Sequence, residues 1–136
     1  MEDYDVIIVG AGPSGTMAAR TLKERGNSVL LLEKATFPRR KICAAGLLQH
    51  SFREFPEITP FLDTYNYSVK IISPNLRTQF NVEDTEPLLA MTKGRADFDT
   101  HLLELAKKNG VEARQQIPVK SISRQSNLNI IETASG

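Results

Sequence analysis

Residues 5–33 read Asp5-Val6-Ile7-Ile8-Val9-Gly10-Ala11-Gly12-Pro13-Ser14-Gly15-Thr16-Met17-Ala18-Ala19-Arg20-Thr21-Leu22-Lys23-Glu24-Arg25-Gly26-Asn27-Ser28-Val29-Leu30-Leu31-Leu32-Glu33, and this stretch decides the fold. Tyr4 to Val9 is a short apolar strand signal that stops at Gly10. Pro13 then stands where a first-turn proline is tolerated, Ala18, Ala19, Leu22 and Arg25 follow at helical steps, and Gly26 suits a C-terminal cap. Ser28 to Leu32 is a second strand. Both strands are apolar throughout instead of alternating, so they suit a parallel sheet covered on both faces, with the helix as right-handed crossover. The spacing predicts a βαβ unit.

Between strand and helix lies Gly10-Ala11-Gly12-Pro13-Ser14-Gly15, which gives G-x-G-x-x-G the context it needs. Gly10 permits the tight turn, Gly12 lets a diphosphate approach the backbone, and Gly15 allows helix and strand to pack closely. The free N–H groups and positive dipole end of the helix then face the anion. Glu33 ends the second strand 23 positions after Gly10, where a carboxylate accepts hydrogen bonds from ribose hydroxyls and repels a 2′-phosphate. The plain alternative is a surface glutamate on a structural Rossmann-type unit. These residues do not separate FAD from NAD, because both present an ADP moiety to the same turn.

Composition agrees with a folded domain. The 136 residues are 40% hydrophobic and 24% charged, and such a chain buries roughly 68% of its unfolded surface. Lys+Arg 17 against Asp+Glu 16 leaves a formal charge of +1, which offers no basic field for nucleic acid. A single cysteine, Cys43, excludes an internal disulfide and fits a reducing, cytoplasmic setting. No apolar run is long enough for a transmembrane segment, and Met1-Glu2-Asp3 lacks the basic start of a signal peptide. His50 and His101 are isolated, so a metal site is not expected.

Farther along, Ala35 to Gln49 reads as a basic, proline-containing loop with a helical turn near Leu47 and Leu48. Ser51 to Asn66 suits a short helix and a connection. Tyr67 to Ile72 and Thr78 to Val82 form a hairpin signal around Ser73-Pro74-Asn75, followed by an acidic loop, Glu83 to Glu86. Leu88 to Met91 reads as a third strand. Phe98, Leu102, Leu105 and Ala106 are the stripe of a helix from about Arg95 to Asn109, closed by Gly110. Val111 to Ala113, Val119 to Ser123 and Leu128 to Thr133 read as short strands in a β-meander. Asp97 and Asp99 stand near the helix start, where carboxylates favour the dipole. No acid or base catalyst is assigned.

The stretch Asp5 to Glu33 resembles the N-terminal FAD-binding segment of the glutathione-reductase-like flavoproteins. Phe37-Pro38-Arg39-Arg40-Lys41-Ile42-Cys43-Ala44-Ala45-Gly46-Leu47 is similar to the F-P-R-x-K-x-C-G-G-G-L segment of geranylgeranyl reductases and their relatives of the electron-transfer-flavoprotein:quinone oxidoreductase type. Arg95-Ala96-Asp97-Phe98-Asp99-Thr100-His101-Leu102-Leu103 resembles the R-x-x-F-D-x-x-L helix start of the same group. Where that group has C-G-G-G, this chain has Cys43-Ala44-Ala45-Gly46.

The resemblance implies an α/β fold: a Rossmann-type FAD-binding domain over residues 1–49 and 88–136, and the beginning of a substrate domain, with antiparallel hairpins, over 50–87. It implies FAD contacts at Gly10, Gly12, Pro13, Ser14 and Gly15 in the turn, Glu33 and Lys34 at the ribose, and Cys43, Ala44 and Gly46 along the flavin. Arg95 would lie near the ribityl and phosphate groups, and Val119 near adenine. Guanidinium geometry also suits Arg95 to phosphate oxygens, the alternative being an exposed first-turn arginine. Cys43 is either a small buried residue beside the flavin or a group shaping the substrate cavity, and Arg39, Arg40 and Lys41 would favour its thiolate if they point toward it.

Members of the group are longer, and their G-D-A or G-A-D-G segment does not occur here, so the chain reads as an N-terminal portion. Three functions are open. The first is an FAD-dependent oxidoreductase reducing isoprenoid double bonds, with NAD(P)H or a protein as electron donor and a small-molecule or isoprenoid lipid substrate, which would bring peripheral attachment to a membrane. The second is aromatic hydroxylation, as in the p-hydroxybenzoate hydroxylase relatives. The third is a nucleotide-binding or folding-only fragment without activity of its own.

Overall fold

The structure is a computed structural model that describes residues 2–134. Strand β1 (Val6–Val9), helix α1 (Pro13–Glu24) and strand β2 (Val29–Leu32) form the expected βαβ unit, with β1 and β2 parallel and Val6 opposite Val29. Gly26 ends α1 in the left-handed region (φ 89°), its N–H donating to the Lys23 carbonyl. The third strand of this sheet is not Leu88 to Met91 but β8 (Glu112–Arg114), parallel to β2, in the order β1-β2-β8. Among the described residues β2 is therefore central and buried along its length, whereas β1 pairs on one side, half-buried, with Val9 half exposed. Unbroken apolar runs describe β2 better than β1.

Helix α3 (Arg95–Lys108) ends at Gly110, again with positive φ. Leu103 and Ala106 join Ala11, Ala19, Val29, Leu31 and Val111 in one core, and Leu22, Phe37 and Ala113 pack around it. Full burial of Leu31 alone is worth about 2–3 kcal/mol. Asp99, one turn before Leu103, is completely buried, so it belongs to the packed face of α3 rather than serving the helix dipole from solvent. Of the last three short strands, β8 is taken by the parallel sheet, and among the described residues β9 (Val119–Gln125) and β10 (Leu128–Thr133) pair with each other alone, a hairpin where a meander was expected.

Residues 35–94 depart most from expectation. Leu47 and Leu48 lie in a strand, β3 (Gly46–Leu48), and the helical turn follows as α2 (Gln49–Glu54). A 3-10 turn (Pro56–Phe61) leads into β4 (Leu62–Asn66), which the two prolines before it hide from a periodicity reading. β5 (Ser68–Ile72) and β6 (Gln79–Glu83) form the expected antiparallel hairpin, in which the Ser73 N–H donates to the Thr78 carbonyl. β7 (Leu89–Thr92) is central to an antiparallel sheet ordered β3-β7-β4.

The chain divides into two compact units: residues up to Arg40 with those from Asp99 onward, and Lys41–Phe98. The division falls outside 50–87 because β3 and β7, on the two flanks of that range, pair with each other. No helix among the described residues is long and apolar enough to cross a membrane.

Candidate functional site

In the first unit the glycine turn is built from both strands. Gly10 has φ 104°, a conformation that side chains rarely adopt, and its N–H donates to the Leu32 carbonyl at 2.7 Å, prolonging the β1–β2 ladder. A Cβ on Gly15 would lie 1.9 Å from the Gly10 carbonyl oxygen, so the close approach of helix and strand admits no side chain there. Gly12 differs: the nearest atom to a Cβ would be Nη2 of Arg39 at 3.7 Å, an ordinary contact. Among the described residues no contact requires glycine at position 12.

Gly12 is the N-cap of α1, with extended backbone and no side chain capping the helix, and the first turn holds no acidic residue. The Thr16 N–H closes the first helical turn on the Gly12 carbonyl, while the Thr16 hydroxyl donates to the Gly12 or the Pro13 carbonyl. Pro13 has no N–H, which leaves the amides of Ser14 and Gly15 ahead of the intrahelical ladder. Ser14 itself is exposed. The arrangement presents donors and the positive dipole end with no competing carboxylate in the turn.

Glu33 is buried at the end of β2, its backbone bonded to Arg114 and Ile117. One carboxylate oxygen accepts the Ala11 N–H at 2.8 Å and the other accepts the Ala35 N–H at 2.9 Å. Glu33 thus ties the glycine turn to the segment after β2, a role the ribose reading did not contain. Lys34 is exposed.

Arg39 and Asp99 complete the neighbourhood. Arg39 stacks on the Phe37 ring at 4.7 Å, with Nη1 3.4 Å from Asp99 Oδ2 and Nε 3.9 Å from Glu33 Oε2. Its Nε is buried and finds no hydrogen-bond partner among the described residues. Sequence reasoning took Arg39 only as a neighbour of Cys43 and Asp99 only as a helix-start carboxylate. The signal available was weak: one acid on the apolar face of α3, and one arginine in a basic run. Val119, also in this unit, is half-buried at the start of β9.

Cys43, Ala44, Gly46 and Arg95 belong to the second unit. Cys43 is exposed and its Sγ accepts the Ala45 N–H at 3.4 Å. Ala45 has φ 61°, a left-handed conformation where the resembling group carries glycine. Arg95 opens α3 and is half-buried, not the exposed arginine of the alternative reading. Among the described residues no three His, Cys, Asp or Glu side chains converge as metal ligands would.

Comparison with known proteins agrees with this geometry. Residues 3–127 match the family model described as FAD binding domain. The chain is 37% identical over 114 residues to a digeranylgeranylglycerophospholipid reductase of Methanococcoides burtonii, covering 82% of this chain and 28% of that protein. It is 36% identical over 122 residues to the enzyme of the same name from Methanocella arvoryzae, covering 82% and 29%. A crystal structure of a geranylgeranyl bacteriochlorophyll reductase-like protein from Thermoplasma acidophilum superposes with a TM-score of 0.80 at 25% identity, over 98% of this chain and 35% of that one. The chain thus spans about a third of the length of the proteins it resembles. A βαβ unit with a glycine turn before an uncapped helix start, a buried acid ending β2 and a family match over nearly the whole sequence lead to one conclusion: the chain belongs to the FAD binding domain family.

Proposed function

We propose that the first unit holds the ADP half of FAD, and that within a longer polypeptide it serves a flavin-dependent oxidoreductase acting on isoprenoid double bonds. One observation carries the cofactor reading: an uncapped α1 N-terminus, free of acidic residues, lies beside a turn that Glu33 holds in place. The Ser14 and Gly15 amides donate to the diphosphate, and the backbone at Gly10, Gly12 and Pro13 lets it approach. A carboxylate offers about four lone-pair sites, and two N–H bonds leave Glu33 able to accept the ribose hydroxyls. Lys34 flanks the ribose and the Val119 backbone the adenine. For Cys43, Ala44, Gly46 and Arg95 the assignment to the flavin rests on the family segments alone.

Reduced FAD, when bound, supplies the hydride equivalents, and the protein supplies orientation. The names of the Methanococcoides and Methanocella relatives support a digeranylgeranyl lipid or a similar isoprenoid as substrate class. NAD(P)H or a donor protein would reduce the flavin, and a lipid substrate would bring the protein to a membrane surface without a spanning helix.

Two experiments test this. The purified chain should quench flavin fluorescence saturably, and Gly12→Val should abolish the quenching while leaving the fold intact, since a Cβ at position 12 meets only the far end of Arg39. With the complete polypeptide, dithionite-reduced flavin and a geranylgeranyl lipid, the product should carry saturated bonds; a hydroxylated product without alkene reduction overturns the reductase reading.

A further inference from the structure

Arg39 lies between two carboxylates on different elements of the first unit: Glu33 at the end of β2, and Asp99 on α3. The side chains of Glu33 and Asp99 are 7% and 0% exposed, that of Arg39 16%, so the three charges interact with little solvent screening. The distances are unequal. Arg39 Nη1 is 3.4 Å from Asp99, whereas its Nε stands 3.9 Å from Glu33 and makes no hydrogen bond among the described residues. Glu33 meanwhile spends its bonds on the Ala11 and Ala35 amides. The guanidinium is committed to Asp99 and to the Phe37 ring, and only leans toward Glu33.

The charge count gives this geometry a consequence. Glu33, Arg39 and Asp99 sum to one net negative charge, centred where the ribose acceptor stands. Without the charge of Asp99 the group becomes neutral, and Arg39 is released to pair with Glu33 directly, occupying the oxygens that a ribose would use. We propose that Asp99 and Arg39 are positioning residues that keep Glu33 available and the ribose end negative, so that the site selects an ADP moiety with a free 2′-hydroxyl over its 2′-phosphate. This rests on the reading that an ADP moiety occupies the Gly10–Gly15 turn, and adds the two residues that set its selectivity.

The test uses the whole chain and measures Kd for ADP-ribose and for 2′-phospho-ADP-ribose, together with thermal unfolding of the ligand-free protein. The wild type should prefer ADP-ribose by about tenfold or more. Asp99→Asn should weaken ADP-ribose about tenfold while affecting the 2′-phosphate less, so that the ratio narrows. Asp99→Glu, which restores the charge, should restore the preference; a purely structural residue would lower both affinities together and leave the ratio unchanged. Arg39→Lys keeps the charge and loses the planar fork, so it should keep the preference and lose overall affinity, which provides a second reading if Asp99→Asn does not fold. An unchanged ratio in Asp99→Asn, or a lost preference in Arg39→Lys, overturns the proposal while leaving the ADP reading standing. Failure of the wild type to bind either ligand overturns both.

Discussion

The carboxylate of Glu33 accepts the backbone N–H of Ala11 at 2.8 Å, across 22 positions of sequence, with its other oxygen on the Ala35 N–H. An acid expected to serve a ligand is therefore also a structural staple of the turn it serves. Glu33→Gln separates the two roles. An amide has one accepting oxygen, so its NH2 group must face one of the two N–H donors. The ligand-free protein should lose about 1–3 kcal/mol, read as a lowered thermal midpoint. An unchanged midpoint would mean that the staple contributes nothing.

Gly15→Ala tests the packing of α1 on β1. The added carbon would sit 1.9 Å from the Gly10 carbonyl oxygen, a backbone atom that moves only if helix and strand separate. Destabilisation of roughly 4 kcal/mol or more, or failure to fold, is expected in chemical denaturation. Gly12→Val, with no such neighbour, should unfold close to wild type.

Ala45→Gly should raise stability. At φ 61° an alanine pays roughly 1–2 kcal/mol that glycine does not, offset by about 0.4–1 kcal/mol from the more flexible unfolded chain. A net gain of about 0.5–1 kcal/mol in urea unfolding is the predicted result.

A surface cluster sets the pH dependence. Tyr4 donates to Glu2 or Glu112, and Arg114 donates to Glu2, Glu112 and the Tyr4 oxygen. Hydrogen bonds from Arg114, then from Tyr4, hold both glutamates below their usual value of 4.5, so their contribution is complete above that pH and lost as pH falls further. For Tyr4, loss of water contact and then the bonds to Glu112 and Glu2 push the hydroxyl from 10.0 up to about 12. That contribution is complete below pH 10 and lost as pH rises toward 12. Tyr4→Phe should flatten the alkaline limb of the thermal midpoint against pH, and Arg114→Gln the acid limb. Both effects should be small, because the groups sit at the surface.

The βαβ unit was legible because its signals are local: strand, glycine turn, helix and cap follow one another within Tyr4 to Glu33. The hairpin of β5 and β6 was legible for the same reason. β3 and β4 were not, since a three-residue strand and a five-residue strand that follows Pro56 and Pro60 carry no period and exist through pairing with β7. β8 was legible as a strand, Val111 to Ala113, but its place beside β2 was not, because that parallel pairing sets Leu30 opposite Glu112, far along the sequence. At the site, glycine spacing pointed to the turn, but the Glu33–Arg39–Asp99 group joins positions from three elements. Asp99 in particular imitates a helix-start acid, and only its burial reveals that it shares the face of Leu103 and Ala106.

The central claim is that this chain recognises FAD through its ADP half, and calorimetric titration of the purified protein with FAD, ADP and FMN tests it most directly. FAD and ADP should compete for one site, while FMN, which lacks the adenosine, should produce no binding heat. Equal binding of FMN, or inability of ADP to displace FAD, would contradict the account.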